Sequence, residues 1–393
     1  MSSWRELCLR DLAEIKHGYA FKGEFFSDIG PGPILLTPGN FAIGGGFKAA
    51  QPKYYRGPIP QGFKLSAQDL VVTMTDLSKA ADTLGYAALV PGDREYLHNQ
   101  RIGLVTIADE TKVSKEFLYY LLRTPKYRDQ VLATSSGSTV RHTSPRRILD
   151  FTAPIPSLEE QARVAGVLMS LDDKLAANDG AATACHELAQ ALSVEAHAGA
   201  SFAPLSDIAF ITMGSSPPGK TYNERGVGVP FYQGTRDFGG RFPGQRVWCT
   251  APVRTADAGS TLVSVRAPVG EVNVAVERCC IGRGIAAITS RYALPSVLFH
   301  ELAGSQEVWR PYEADGTVFG SINKIQLQKL LIRSVTGPDA VRLEANLSSL
   351  DRQVEALFGQ SQVLRDLRDA LLPRLMSGEI RVREAEKIAE DAT

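Results

Sequence analysis

Residues 170–175 read SLDDKL, and residues 349–354, 179 positions later, read SLDRQV. The offset persists outward from this pair. Leu168, Leu171, Leu175, Cys185, Leu188 and Leu192 correspond to Leu347, Leu350, Val354, Leu364, Leu367 and Leu371. Upstream of each block lies a related stretch, STVRHTS (138–144) and GTVFGSI (316–322). Further out, LRDLAEI (9–15) and LSDIAFI (205–211) open the two halves 196 residues apart, so the second copy is about 17 residues shorter. A repeat of this size sets the organisation before any local element does. It divides the chain into 1–156, 157–200, 201–337 and 338–393: globular, helical, globular, helical.

The helical character rests on spacing. Val164, Leu168, Leu171, Leu175, Asn178, Ala182, Cys185, Ala189 and Leu192 alternate by four and three. So do Leu343, Leu347, Leu350, Val354, Leu357, Ser361, Leu364, Arg368, Leu371 and Leu375. Such spacing is the seam of a coiled coil over about four heptads. Leu168, Leu171, Leu175, Leu192, Leu347, Leu350, Val354 and Leu371 are its apolar anchors. Ser157 with Glu160 has the form of a capping box after Pro154 and Pro156. Gly199 and Pro204 end the first helix; Pro338 opens the second, and Pro373 bends or closes it. Asn178-Asp179-Gly180 is a potential break, but the repeat offset does not shift across it, which predicts a continuous helix.

The chain carries 43 basic and 43 acidic residues, and the zero net charge conceals an alternation. The four segments carry +4, −5, +4 and −3, with the basic excess in the globular halves. Basic segments are where a polyanion binds, although ordinary variation in surface charge gives the same figures. The globular halves read as mixed α/β. Strand-like runs fall at 69–73, 101–107, 260–265 and 272–276, and helix-like stretches at 115–132 and 295–308. Gly and Pro between them imply long loops, where recognition residues usually lie.

Several chemistries are excluded. Cys8, Cys185, Cys249, Cys279 and Cys280 are odd in number and contain no C-x-x-C, against a disulfide framework or a structural zinc site. The pair Cys279-Cys280 sits in an apolar strand-like run, where packing is the simpler role. GSSPPGKT (214–221) matches the phosphate-loop pattern letter by letter and raises a nucleotide-hydrolysing alternative. That loop uses successive backbone N–H groups; Pro217 and Pro218 have none, and YNERGVGVP after it has no helical period. A loop lying against DNA suits Lys220 and Tyr222 better. No methyltransferase motif, nuclease carboxylate cluster or paired histidines on a helix is present, so no catalytic constellation is predicted and no cofactor or metal is assigned to this chain. No apolar run approaches a membrane span, and MSSWRELCLRDL lacks a secretory layout, so a cytoplasmic protein with no membrane partner is expected.

IPSLEEQARVAGVLMSLDDKL (155–175) resembles the segment that follows the first target-recognition domain in the specificity subunits of type I restriction-modification systems. LLPRLMSGEI (371–380) resembles their distal segment. ITMGSSPPGKTYN (211–223), SVRAPVGEV (264–272) and CIGRGIAAI (280–288) are similar to one class of their recognition domains. The resemblance spans essentially the whole chain and implies two α/β recognition domains joined by two long antiparallel coiled-coil helices. It further implies a non-catalytic subunit reading double-stranded DNA as an asymmetric, bipartite target. Two adenine-specific DNA methyltransferase subunits would bind the helices, and restriction/translocase subunits would join them. S-adenosylmethionine, ATP and Mg would then belong to those partners. One departure stands out: Glu159-Glu160-Gln161 has no counterpart in the second block, which carries Asp339-Ala340-Val341 nearby. A coiled-coil scaffold binding protein instead of DNA is the remaining alternative.

Candidate DNA contacts follow from residue type and placement. Arg141, His142, Arg146 and Arg147 cluster just before the first helix; the matching region of the second half holds Thr317, Ser321, Asn323 and Lys324. Gln233, Thr235, Arg236, Arg266 and Arg283 sit in Gly- or Pro-bearing loops, together with Lys220 and Tyr222. Arg pairs bidentately with guanine, and Asn or Gln with adenine, although each serves a phosphate as readily. Arg101 and Arg283 fall at equivalent repeat positions within about one residue, a placement open to DNA contact or to a structural ion pair.

Overall fold

The computed structural model describes residues 4–78, 80–138, 140–196, 200–313 and 320–392. The chain forms two compact units. The first contains residues 1–176 and 360–393, and the second residues 177–359. These units cut across the four sequence segments, because each takes half of each long helix.

In the first unit an antiparallel sheet runs Ala13–His17, Ile102–Ile107, Leu70–Thr73, Ala87–Leu89. A five-stranded sheet runs Phe26–Ser27, Tyr54–Tyr55, Ile34–Leu35, Tyr96–Leu97, Lys64–Leu65, with its one parallel pair between Ile34–Leu35 and Tyr96–Leu97. The ribbon Arg5–Cys8 with Thr152–Ile155 closes the domain where it meets the long helix. The second unit repeats the plan of these three sheets. Its four-stranded sheet is Ala209–Met213, Ile285–Ser290, Thr261–Ser264, Val272–Val274. Its five-stranded sheet is Tyr222–Asn223, Trp248–Cys249, Val229–Tyr232, Cys279–Ile281, Thr255–Ala256, again with one parallel pair at the third and fourth positions. Its ribbon is Ser201–Pro204 with Leu331–Ser334. The duplication read from the helix blocks therefore extends through the whole domain.

Each predicted helix-like stretch of the globular halves is two helices. The first divides into Lys115–Leu121 and Pro125–Thr134, because Pro125 lacks the N–H to continue and Thr124 caps the new start, accepting from Tyr127 N. The second divides at Ser305 into Pro295–Gly304 and Gln306–Trp309.

The first long helix, Leu158–Ala196, is continuous through Asn178–Gly180. Ser157 Oγ accepts from Glu160 N at its start. It ends at Ala196; Gly199, expected to end it, lies outside the described residues. The second, Gly337–Met376, has Pro338 in its first turn. Pro373 is accommodated inside, and the helix closes three residues later ahead of Gly378, whose φ is +73°. In the first unit Val164, Leu168, Leu171 and Leu175 share a core with Leu364, Leu367, Leu371 and Leu375. In the second, Ala189 and Leu192 pack with Leu343, Leu347 and Leu350. Opposite halves of the helices meet in each unit, so the pairing is antiparallel. Leu192, Leu350 and Val354 are only half-buried, whereas Leu168 and Leu347 are fully so.

Candidate nucleic-acid interface

In both units the predicted contact residues gather where the central strands of the four-stranded sheet end. In the first, Met74 N donates to Arg101 O at 2.8 Å and Thr143 N to Met74 O at 3.0 Å. This aligns Arg141–His142 antiparallel to Thr75–Asp76. His142 Nδ1 lies 3.1 Å from Thr75 Oγ1, and Arg141 Nη1 donates to Ser135 Oγ at 3.0 Å. Ser144 caps the helix Pro145–Leu149, from whose first turn Arg146 and Arg147 project into solvent. Arg147 Nη1 reaches Ser136 Oγ at 3.2 Å. Arg101 is exposed beside this group.

Asp76 anchors the adjoining loop. It accepts from Ser78 N at 2.7 Å and from the Thr83 hydroxyl at 2.7 Å. Burial pushes its carboxyl up, but these donors outweigh burial and hold it below the ordinary carboxylate value. It stays ionised and structurally engaged.

The second unit builds the same junction. Val265 N donates to Gly284 O at 2.9 Å and Ile322 N to Val265 O at 3.0 Å. Arg266 pairs with Ser321, and both side chains are exposed. Arg283 is exposed next to Gly284 and donates through Nε to Ser216 Oγ at 3.3 Å. A Cβ on Gly284 would lie 2.3 Å from Gln233 O, so only glycine lets the Gln233 loop approach. Gln233 N donates to Asp237 Oδ2 at 2.8 Å, and Arg246 Nη2 to Asp237 Oδ1 at 2.8 Å. This fixes the turn that carries Thr235 and exposed Arg236.

The remaining candidates are less uniform. Lys220 is exposed on the single turn Gly219–Thr221, which runs straight into the strand Tyr222–Asn223. No phosphate-loop helix follows it. Tyr222 stacks 4.7 Å from Phe231 and donates its hydroxyl to Pro217 O at 2.7 Å, so it presents only part of its ring. Asn323 is drawn into a capping box for Lys324–Gln328, its Oδ1 accepting from Gln326 N at 3.0 Å. Lys324 is exposed at the first turn, and Thr317 lies outside the described residues. Arg101 and Arg283 make no ion pair among the described contacts; Arg283 uses a hydroxyl instead.

Two features escaped the reading of residue types. Thr37–Asn40 is the first unit's counterpart of Gln233–Asp237: Thr37 N donates to Asn40 Oδ1 at 2.9 Å as Gln233 N does to Asp237. The 196-residue offset carried forward from Leu9 would have located it. Lys16 lies 4.6 Å over the ring of Phe63, with Tyr19 packed on the same ring. Neither has a local motif.

Burial pushes the Cys279 thiol up to about 12 and that of Cys280 to about 11, so neither supplies a thiolate. Among the described residues no group of three His, Cys, Asp or Glu could hold a metal. No described helix is long and apolar enough to cross a membrane.

Comparison with known proteins agrees with the duplicated plan. Residues 1–181 match the family model for the type I restriction modification DNA specificity domain. The chain is similar to the type I restriction enzyme MjaX specificity subunit of Methanocaldococcus jannaschii, at 26% identity over 76% of each chain. It is 31% identical to the EcoBI specificity subunit of Escherichia coli over 43% of this chain and 32% of that one. The crystal structure of the type I restriction-modification S subunit from M. genitalium shares its fold, with a TM-score of 0.61 at 14% identity, over 95% of this chain and 96% of that one. With two α/β domains of one plan and paired long helices, the chain carries a type I restriction modification DNA specificity domain over residues 1–181 and is similar to type I restriction-modification specificity subunits over about three quarters of its length.

Proposed function

We propose that this chain reads an asymmetric, bipartite DNA sequence, one half-site for each recognition domain, as the non-catalytic subunit of a DNA-modifying complex. The observation that carries the reading is the duplicated junction, which presents Arg101, Arg146 and Arg147 in one unit and Arg266, Arg283 and Arg236 in the other on exposed, rigidly hydrogen-bonded turns. Guanidinium groups held this way suit guanine edges and phosphates. The long helices are the docking surface for two adenine methyltransferase subunits, with restriction/translocase subunits joining the assembly. S-adenosylmethionine, ATP and Mg are bound by those partners.

Exchange of residues 202–337 for the corresponding segment of another specificity subunit tests this. Methylome sequencing of cells that also express the methyltransferase should show one half of the modified motif changed and the other kept. A change in both halves, or in neither, would refute independent half-site reading.

A further inference from the structure

Asp172 and Asp351 lie 179 residues apart, at the same position of the repeat, and each faces the recognition domain of its own unit. Asp172 Oδ2 accepts from Arg123 Nη1 at 2.8 Å and from Tyr120 Oη at 2.9 Å, and Oδ1 accepts from Arg368 Nη1 at 2.8 Å. Arg123 is fully buried and passes onward: its Nε donates to Gly44 O at 3.0 Å. Gly45, next to it, has a φ of +89°, and a Cβ there would lie 2.5 Å from Arg123 Cγ. The loop is thus moulded on the arginine. It is closed by Ala42 N to Gly46 O at 3.0 Å and joined to Asn40 by Lys48 N to Asn40 O at 2.8 Å.

Asp351 reaches the matching loop with different residues. Its Oδ1 accepts from Arg241 Nη2 at 2.7 Å and lies 2.9 Å from His300 Nε2. Arg241 belongs to the loop itself and stacks 4.1 Å over Phe299. That loop returns to the recognition turn through Gly244 N to Asp237 O at 2.8 Å. In both units charged and backbone hydrogen bonds, joined by short stretches of covalent backbone, lead from a long-helix aspartate to the turn beside the junction. In the first they end at Thr37–Asn40, in the second at Gln233–Asp237. The endpoints are shared while the arginines come from unrelated places. A path that serves only to attach a domain has no need to end there.

We propose that Asp172 and Asp351 are positioning residues for base recognition, each holding the recognition turn of its own unit at the placement that discriminates bases. This rests on the half-site reading above. Base discrimination depends on donor placement within a fraction of an ångström, so releasing the turn relaxes selectivity before it abolishes binding.

The test uses the full methyltransferase complex and a library of targets carrying single-base changes in either half-site. Asp351→Asn and Arg241→Met should each lower the ratio of cognate to near-cognate methylation about tenfold at one half-site and leave the other unchanged. Asp172→Asn should do the reverse. The double variant Asp351→Asn/Arg241→Met should be no worse than either single one, since both cut one path. Should Asp351→Asn prevent assembly, Arg241→Met, which leaves Asp351 with His300, decides alone. Equal loss at both half-sites, or slower methylation with unchanged ratios, overturns the proposal and leaves the aspartates merely structural. Failure of the unaltered complex to methylate selectively overturns the half-site reading instead.

Discussion

Ser114 N donates to Gln161 Oε1 at 2.8 Å, tying the cap of the helix Lys115–Leu121 to the first turn of the long helix. Gln161 also donates through Nε2 to Lys112 O at 2.7 Å and Pro156 O at 2.9 Å, and it is completely buried. Its repeat counterpart is Ala340, which lines a cleft of about 610 Å³ with Val297, Leu298 and Ile332. The first unit thus has a buried polar tie where the second has an apolar hollow. Gln161→Ala should destabilise the first unit by about 2–3 kcal/mol, because one buried and two partly buried backbone groups lose their partner. Thermal unfolding would show it; an unchanged midpoint would contradict the account.

Acid should loosen both helix attachments. Burial pushes the Asp172 carboxyl up, but Arg123 and Arg368 outweigh it and hold it below the ordinary 3.8. Asp351 is lowered likewise, burial being overcome by His300 and Arg241. A carboxylate depressed by folding contributes fully above its unfolded value and loses that contribution as pH falls through its folded one. Stability should therefore fall steeply from about pH 4 downward. Asp172→Asn, costing about 3 kcal/mol at neutral pH, should flatten that slope in urea denaturation. An equally steep fall in the variant would remove Asp172 from the explanation.

Lys220 should behave as a DNA-facing cation. Lys220→Ala should reduce the slope of log affinity against log salt by about one and leave ATP hydrolysis by the assembled complex intact. The isolated chain should bind no ATP. ATP binding that disappears in this variant would restore the phosphate-loop reading.

Helix length should set the gap between half-sites. One heptad inserted after Leu175 and another after Val354 keep the seam in phase and lengthen the pair by about 10 Å. That corresponds to one to three base pairs. The half-site sequences should be unchanged, since no recognition turn is touched. Methylome sequencing of the double insertion decides it, and a stable, active complex with the original gap would exclude the helices as the ruler.

The long helices were legible because their anchors, Leu168, Leu171, Leu175, Leu347 and Leu371, repeat locally at helical spacing and are buried. The duplication was legible for the same reason: SLDDKL and SLDRQV are contiguous words. What those words do was not. Asp172 and Asp351 acquire their partners from Arg123, Arg368, Arg241 and His300, up to 196 residues away. No spacing rule encodes such contacts. Residue type also hid the division of labour among the candidates. Asn323 has the same donors as any base-reading amide, yet its position before Lys324–Gln328 makes it a cap. The turn Thr37–Asn40 was missed because it carries no Arg or Gln, although its backbone does what that of Gln233–Asp237 does.

The first unit is discontinuous: Leu168, Leu171 and Leu175 share their core with Leu371 and Leu375, which are translated some 200 residues later. The second unit is one uninterrupted stretch, 177–359. At a ribosomal rate of about 5–20 residues per second, the leucine face of the first helix waits on the order of 10–40 s for its cover. The domain made first is completed last. During that interval the part of the helix face that Leu371 and Leu375 cover lacks its partner on the nascent chain, within reach of chaperones and of other copies on the same message.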